Sequence, residues 1–236
     1  ATCSARSTFH MGNAIMAAAA EVKSKLKALA AELGLPEGSN YPIKELFERR
    51  FGMQAGNIIG TGTYIPPHSI PDAATGLSPE ITPFWALGGT GAEVEVDTAT
   101  GHVRILRLVN VAEAGRLVNP ELAITQISGA AIMQLGFTMS ENMIFEDGRV
   151  CNASLAHYEI PSFLDVPVME NELVSAGDSR GPYGAKGLGE SGTFGVSPAI
   201  ANAIYDAVGV RLTELPITTE SVLRALKAAQ SLEKRQ

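Results

Sequence analysis

A stripe of apolar residues between positions 13 and 33 is the feature that most constrains the fold of this chain. Its members recur at intervals of three and four residues, the spacing of one face of an α-helix; they are Ile15, Ala18, Val22, Leu26, Leu29 and Leu33. Gly34 follows at the position where a helix commonly ends. The pattern predicts an amphipathic helix over residues 13–33, whose apolar stripe must be buried against another element.

A β-hairpin is predicted as the partner of that helix. Residues 92–96 alternate apolar and acidic side chains, residues 97–101 are turn formers, and residues 103–111 continue as a β-rich run. We therefore expect the helix over residues 13–33 to pack its stripe on a sheet that contains this hairpin.

The remaining predicted elements are shorter or less regular. Asn119 and Pro120 provide an N-cap and a first helical position. Helices are predicted at 43–51, 120–141, 198–208 and 219–229, and short strands at 57–59 and 212–217. Because helices and hairpins are mixed without βαβ alternation, the predicted fold class is α+β, with helices packed on mixed or antiparallel sheets. Residues 1–236 form one region in this interpretation, which can divide into two intimately packed α+β lobes.

The composition is that of a globular chain and excludes several classes of function. Apolar residues make up 45% of the 236 residues and charged residues 18%, which is too apolar for a disordered chain. The formal net charge is −7 and Lys and Arg form no cluster, so we expect no nucleic-acid partner. The most apolar stretch, 124–137, is interrupted by Gln126, Ser128 and Gln134, so no membrane span is expected.

The cysteines and the N-terminus indicate a reduced, cytoplasmic protein. Cys3 and Cys151 lie far apart and form no CxxC pair, so the chain alone cannot supply the four thiolates of an iron–sulfur cluster. The four histidines show no metal-ligand spacing. The chain begins at Ala1 with a polar segment and no signal peptide, which indicates a piece of a larger polypeptide or a processed chain.

The Gly-rich segment 179–192, SRGPYGAKGLGESG, is the strongest candidate for chemistry. Glycines let backbone N–H groups approach a ligand closely, because no Cβ intervenes. Residues 187–192 formally match the dinucleotide fingerprint GxGxxG, but that pattern needs a preceding apolar strand and a following helix. A P-loop needs Ser or Thr after its Lys, whereas Gly187 follows Lys186. A plain surface loop with a solvated Glu190 is the other alternative that composition leaves open.

Residues 184–190, GAKGLGE, resemble the G-x-x-K-G-x-G-E signature of the molybdenum hydroxylases, the xanthine dehydrogenase and aldehyde oxidase family, with one residue instead of two between Gly184 and Lys186. Other segments resemble stretches of the same family in the same order. Residues 4–9 with 12–14 resemble its Ser-rich cofactor-binding stretch, and residues 126–130 with 134–136 resemble its Q-x-x-G-A…Q-x-x-G helix. Residues 157–161 with 165–167 resemble its Y-x-I-P…D-x-P stretch, and residues 197–204 resemble the helix after the signature. The resemblance covers nearly the whole chain and identifies it with the C-terminal part of the molybdenum-cofactor subunit.

The resemblance implies a role for each signature residue. Glu190 would be the catalytic base, taking a proton from the water-derived hydroxyl that attacks an electron-poor carbon, and burial would raise its pKa. An ion pair with Lys186 is the structural alternative for Glu190. The cofactor-binding residues would be Gln126, Lys186, Gly187, Leu188, Gly189, Ser4, Arg6, Ser7 and Thr8. Hydroxyls and an Arg suit anionic oxygens, while Gln126 keeps the alternative of a packing or capping residue.

The resemblance also implies cofactors and partners. The molybdenum would be held by the pterin dithiolene and by no protein side chain. The pterin form stays open, and a bacterial origin would imply the cytosine dinucleotide. A [2Fe–2S] subunit and an FAD subunit would take electrons from a small-molecule substrate, namely a purine, an N-heterocycle or an aldehyde.

The family's early Gly-rich Phe loop and Arg-Gly loop are absent from this sequence. The upstream half of the subunit is therefore expected to be missing or on another chain. The chain alone should be inactive and should expose a large apolar patch for the missing part. A non-catalytic assembly or scaffold role and a nucleotide-binding dehydrogenase are the alternative functions. Molybdenum, no metal, or bound NAD in the native complex would separate the three.

Overall fold

A computed structural model of the chain describes residues 3–35, 42–54, 56–178 and 180–233. Ser179, the first residue of the predicted Gly-rich segment, and Ala1 lie outside these described residues. The chain divides into two compact units. One comprises Ala1–Phe84 and Asp178–Gly187, and the other comprises Trp85–Gly177 and Leu188–Gln236.

The first unit is built on a long helix. A π-helical segment, Ser7–Met11, leads directly into α1 (Gly12–Glu32), and α2 follows as Ile43–Phe51. Both predicted helices are confirmed. Leu29 and Ala30 of α1 are buried against Leu46 of α2, with Leu26, Leu33, Leu35 and Ile58 packed around them.

The prediction that α1 packs on the hairpin sheet is wrong. Only the C-terminal end of the apolar stripe is buried, against α2 within the first unit, while Ile15 near its start is 62% exposed. The hairpin belongs to the second unit, where α4 and α3 supply the apolar partners. The middle of the stripe is contacted instead by the segment around Gly60, where a Cβ would lie 2.7 Å from Val22 Cγ2.

The strand predicted at 57–59 is also wrong. This segment runs extended beside α1 and finds its partners in side chains of that helix. Lys25 Nζ donates to the carbonyl of Ile59 at 2.7 Å, and the backbone N–H of Thr61 donates to Glu21 at 2.6 Å. A Cβ at Gly60 would overlap the backbone of α1, so the glycine permits the close approach.

The second unit contains a three-stranded mixed sheet. Strands β1 (Leu87–Val96) and β2 (Val103–Glu113) form the predicted antiparallel hairpin, with an irregularity between Glu93 and Val94. A short second hairpin joins β3 (Phe145–Glu146) to β4 (Arg149–Val150). Strand β5 (Val168–Val174) pairs in parallel with β2 and was not predicted. The α+β class with a mixed sheet is confirmed.

Three helices complete this unit. They are α3 (Pro120–Met139), α4 (Val196–Val208) and α5 (Thr219–Glu233), and all three were predicted to within a few residues. The Asn119 side chain caps α3 by accepting from the N–H of Leu122 at 3.0 Å. The core contains fully buried Leu108 from the sheet, Ile200 and Ile204 from α4, and Val222 from α5.

The strand predicted at 212–217 does not form. One backbone hydrogen bond reaches this segment from α3, where the carbonyl of Thr138 accepts from the N–H of Ile217 at 2.6 Å. Pro216 has no N–H to donate to a strand ladder. Arg211 instead lies over the ring of Tyr205, 4.0 Å from its centroid.

Helix α3 passes a test of length and mean hydropathy for crossing a membrane, and it is the one helix of the described residues that does. Core helices of water-soluble proteins pass the same test. Here Ile127, Ala131 and Leu135 of α3 are buried in the second unit, and its glutamines are hydrogen-bonded to protein groups. These contacts are those of a core helix.

Candidate functional site

The chain crosses from one unit to the other inside the Gly-rich signature. Lys186 and Gly187 belong to the first unit, and Leu188, Gly189 and Glu190 belong to the second. The candidate residues therefore fall into two groups, one in each unit.

In the first unit, the loop before the signature closes on itself. The N–H of Asp178 donates to the carbonyl of Gly184 at 3.0 Å. Tyr183 and Gly184 both have positive φ angles, 53° and 88°, and the Tyr183 side chain is exposed. Two consecutive residues of positive φ make a sharp reversal that a helix or strand could not contain. The reversal therefore depends on one glycine and on Tyr183, a non-glycine residue held at positive φ.

This loop packs against the N-terminal segment of the chain. Gly187 is buried, and a Cβ at this position would overlap the backbone of Ala5. The Asn13 side chain donates to the carbonyl of Arg180 at 2.9 Å. The contact between Asn13 and Arg180 joins positions 167 residues apart in the sequence. The Ser-rich segment and the first part of the Gly-rich segment, identified separately in the sequence, therefore form one local structure.

The predicted cofactor residues of the N-terminal segment are accessible. The side chains of Ser4, Arg6, Ser7 and Thr8 are all exposed. Ser4 adopts a positive φ of 56°, which turns the chain into the helix that starts beside it. Three hydroxyls and one guanidinium therefore surround the N-terminal end of a long helix, where backbone N–H groups carry partial positive charge.

His10 is a further polar residue of this segment that the sequence did not single out. Its buried Nδ1 has no hydrogen-bond partner among the described residues. The ring packs against Tyr64 at 5.9 Å between centroids. Burial, followed by the charge of Arg6, lowers the pKa of His10, so the neutral ring is favoured.

In the second unit, Gln126 binds the signature directly. Its Nε2 donates to the carbonyl oxygen of Gly189 at 2.6 Å. The loop that follows is pressed onto α3, since a Cβ at Gly192 would overlap the carbonyl of Ile127 and lie 3.0 Å from the Cβ of Ala130. Gln126 and the signature, identified separately in the sequence, are thus in direct contact, while the cofactor-binding role of Gln126 stays a prediction. Gln126 is neither a helix cap nor a buried packing residue.

Glu190 has a well-defined backbone and an exposed side chain. Its carbonyl accepts from the N–H of Thr193 at 3.0 Å and from the Thr193 hydroxyl at 2.8 Å. The expectation that Glu190 is buried is wrong for this chain, because the loop points the carboxylate outward while its backbone carries the hydrogen bonds. Among the described residues, no group donates a hydrogen bond to that carboxylate.

Lys186, Leu188 and Gly189 are partly exposed. Two clefts of the described residues are lined by other parts of the chain. A cleft of about 480 Å³ in the first unit is lined by residues of α1, α2 and 57–59, and one of about 410 Å³ in the second unit is lined by residues of β2, α3 and 159–167. The described residues include no group of three or more His, Cys, Asp or Glu side chains able to hold a metal ion.

Comparison with known proteins decides the family. Residues 1–167 match the family model described as the molybdopterin cofactor-binding domain, which is well over half of the chain. The chain belongs to the molybdopterin cofactor-binding domain family. The resemblance to the molybdenum hydroxylases is thereby confirmed.

Relatives of this molybdopterin cofactor-binding domain are oxidoreductases. A probable hypoxanthine oxidase of Escherichia coli strain K12 is 38% identical over 178 residues, which are 75% of this chain and 17% of that protein. The molybdenum-binding subunit of an aldehyde oxidoreductase of the same strain is 41% identical over 141 residues, 58% of this chain and 19% of that subunit. The chain thus spans less than a fifth of the length of these curated relatives.

A solved structure resembles the whole molybdopterin cofactor-binding domain. An aldehyde oxidoreductase of Desulfovibrio gigas superposes on 96% of this chain and 23% of that chain, with a TM-score of 0.78 and 29% sequence identity. The family match itself ends at residue 167, before the signature. The roles of residues 186–190 therefore stay predictions.

Other motifs of this cofactor-binding domain are explained by packing. Gly136 lies against Pro161, since a Cβ there would come within 2.6 Å of the proline ring. The Gln134 side chain donates to the Ser197 hydroxyl at 2.7 Å, which joins α3 to the start of α4. Thr138, fully buried, lies 2.7 Å from the same hydroxyl. Thr138 was not predicted from the sequence. Its position one helical turn after Gln134 places both side chains on the same face of α3, and this spacing could have indicated it.

The dinucleotide-binding alternative does not fit this geometry. No strand precedes residues 187–192 within the described stretch 180–186, and α4 begins only at Val196 after a series of turns. The residues do fit an anionic pterin cofactor. The hydroxyls and guanidinium of the N-terminal segment are exposed, and no heavy atom of the described residues lies within 4 Å of a Cβ built at Gly189. A ligand can therefore approach the Gly189 backbone closely.

Proposed function

We propose that this chain is part of a molybdenum hydroxylase that hydroxylates an electron-poor carbon of a purine, an N-heterocycle or an aldehyde with water-derived oxygen. The observation that supports this most directly is the hydrogen bond from Gln126 to the carbonyl of Gly189. It fixes the backbone immediately before an accessible carboxylate, that of Glu190.

Glu190 is proposed as the catalytic base. A carboxylate oxygen can accept the proton that the attacking hydroxyl must lose, provided that it lies within hydrogen-bond reach. The backbone on both sides of Glu190 is held, by Gln126 on one side and by Thr193 on the other, so the side chain starts from a fixed Cα. Its exposure leaves it open to substrate.

The cofactor is proposed to be molybdopterin with molybdenum held by the pterin dithiolene, in the cytosine dinucleotide form if the source is bacterial. When bound, this group supplies the acceptor for the two electrons that leave the substrate. Gln126, Lys186, Gly187, Leu188 and Gly189 are the proposed cofactor contacts of the signature. Ser4, Arg6, Ser7 and Thr8 are the proposed contacts for anionic oxygens, since hydroxyls and a guanidinium bind them well.

The proposed partners are the remaining part of the molybdenum subunit, a [2Fe–2S] subunit and an FAD subunit, in the cytoplasm. Large apolar side chains are exposed in both units, which supports burial against another part of a larger assembly. In the first unit Ile65, Ile70 and Leu77 are at least 74% exposed, and in the second unit Phe163 and Leu164 are at least 89% exposed. Since the chain spans less than a fifth of its curated relatives, it should be inactive alone.

Replacement of Glu190 by Gln in the assembled complex tests the proposal. Gln keeps the shape of the side chain but cannot accept the proton, so turnover should fall by about 10²–10⁴-fold at unchanged molybdenum content. The loss should appear in kcat and kcat/KM together, because the interaction forms mainly in the transition state.

Glu214→Gln is the matched control, since Glu214 is also an exposed glutamate of the second unit and lies outside the signature. It should leave turnover and molybdenum content unchanged. Near-normal turnover of Glu190→Gln with full molybdenum would show that Glu190 is not the base. A complex purified without any molybdenum would favour the non-catalytic scaffold, which the exposed carboxylate also allows.

A further inference from the structure

A row of polar side chains crosses the sheet of the second unit on its core face. Thr90 of β1, Asn110 of β2 and Asn171 of β5 are direct register partners. The Thr90 hydroxyl donates to Asn110 Oδ1 at 3.1 Å, and Asn110 Nδ2 donates to Asn171 Oδ1 at 3.0 Å. We call these three residues with Ser128 the polar ladder.

The ladder continues from the sheet into α3. Asn171 Nδ2 donates to the Ser128 hydroxyl at 2.8 Å, and that hydroxyl donates to the carbonyl of Ile124 at 2.9 Å. Every donor points in the same direction, from β1 towards the helix. Hydrogen bonds in such a chain polarise one another and strengthen in a low-dielectric interior.

The burial of Asn110 makes the polar ladder select one strand register. Asn110 is only 2% exposed, so an amide left without its partner there would be costly. A slip of one residue in either strand pairing would turn a ladder side chain to the opposite face of the sheet. The ladder therefore holds one register of the three strands and one position of α3 above them.

One shared helix and one contact link the ladder to the signature loop. Ser128 lies two residues after Gln126 on α3, so the rotation of the helix that Ser128 fixes also sets the direction of the Gln126 side chain. Gly195, at the end of the loop, packs on the other end of the ladder, where a Cβ would lie 2.8 Å from the Cβ and Oγ1 of Thr90. The loop is thus held at both ends by elements that the ladder joins.

We propose that the polar ladder positions Gln126 against Gly189, so that Asn110, Asn171 and Ser128 are positioning residues for the signature. This inference rests on the proposed function for its effect on the cofactor, but its geometric part can be tested without cofactor.

The first experiment compares Ser128→Ala with Thr125→Ala. Both hydroxyls bond the carbonyl four residues earlier on α3, at 2.9 Å in each case, but only Ser128 reaches the sheet. In the 236-residue chain, Ser128→Ala should shift the NMR resonances of the Gln126 side-chain amide more than Thr125→Ala does, although Thr125 is nearer to Gln126 in sequence. Ser128→Thr keeps the hydroxyl and should restore the resonances. Equal spectra for the two alanine variants would overturn the proposal.

The second experiment uses the assembled complex and molybdenum content per subunit. Ser128→Ala should lower molybdenum content by about tenfold, a loss typical of a residue that orients a ligand-binding group. In a Gln126→Ala background the same change should have no further effect, because the ladder acts through Gln126. An effect of equal size in both backgrounds would overturn the positioning role. If Gln126→Ala alone leaves molybdenum content unchanged, the proposed function of Gln126 fails, while the NMR comparison still decides the ladder.

Discussion

The packing of the signature loop on α3 predicts a large effect of one added methyl group. In Gly192→Ala the new Cβ would overlap the carbonyl oxygen of Ile127, and would lie 3.0 Å from the Cβ of Ala130 and 3.1 Å from the backbone nitrogen of Ala131. Two of these atoms belong to the backbone of a helix whose Ala130 and Ala131 are themselves buried. The helix cannot move aside, so the loop must lift.

The expected change in the free energy of unfolding is obtained by comparing Gly192→Ala with Gly189→Ala in the same loop. Overpacking a filled site costs about 1–3 kcal/mol, and backbone contacts place Gly192→Ala at the upper end. A Cβ at Gly189 meets no described atom within 4 Å, and its φ lies outside the left-handed region. Gly189→Ala should therefore gain about 0.4–1 kcal/mol by restricting the unfolded chain. The two variants should differ by about 2–4 kcal/mol, or roughly 4–16 °C in Tm for a chain of this length.

Thermal unfolding followed by circular dichroism measures this difference on the 236-residue chain. Melting temperatures of Gly192→Ala and Gly189→Ala within about 1 °C of each other would refute the packing argument. The same pair separates stability from cofactor binding. In the assembled complex, Gly189→Ala should lower molybdenum content despite its stable fold, because its methyl group occupies the side proposed to face the cofactor.

Three further predictions concern the fold. Hydrogen bonds from Lys25 and Thr61 lower the pKa of Glu21 from 4.5 to about 2. The stabilising contribution of the Glu21 carboxylate is therefore complete above pH 4.5 and is lost as the pH falls towards 2. Glu21→Gln should weaken the dependence of the unfolding free energy on pH over that range. Ile204→Ala should cost about 2–5 kcal/mol in urea unfolding, because this side chain is fully buried in the core of the second unit, and a loss under 1 kcal/mol would contradict that burial. The pKa of Tyr158 is raised by its hydrogen bond to Glu141, so an ultraviolet titration should find ionisation above pH 10, and Glu141→Gln should lower it.

Local patterns predicted the elements whose partners lie nearby in the sequence. The α1 stripe, the hairpin of β1 and β2, and the Asn119 cap of α3 carry their information within a few residues, and all three are present. The sequence did not reveal β5, because Glu170 and Glu172 alternate with Asn171, a polar residue that is only half-buried. A strand with an amide on its inward face is recognisable only together with the neighbouring strand that binds the amide.

The roles of the candidate site residues stay predictions, and only their contacts and exposure can be compared with the structure. The contact between Gln126 and Gly189 joins two motifs that were identified separately in the sequence. The burial expected for Glu190 does not occur, because burial depends on what covers the loop and this depends on atoms distant in sequence. The partner of α1 was mispredicted for a similar reason. An apolar stripe shows that a helix is buried, but it does not show which surface buries it.

The first unit is assembled from the beginning of the chain and from a ten-residue return at Asp178–Gly187. A ribosome that has finished Phe84 must add about a hundred more residues before Gly187 can reach Ala5. At about 5–20 residues per second that interval is roughly 5–20 s. During this time α1 lacks the loop whose Pro182 packs on Gly12 at its N-terminal end. The first unit can therefore be completed only after residues 85–177 of the second unit have been synthesised.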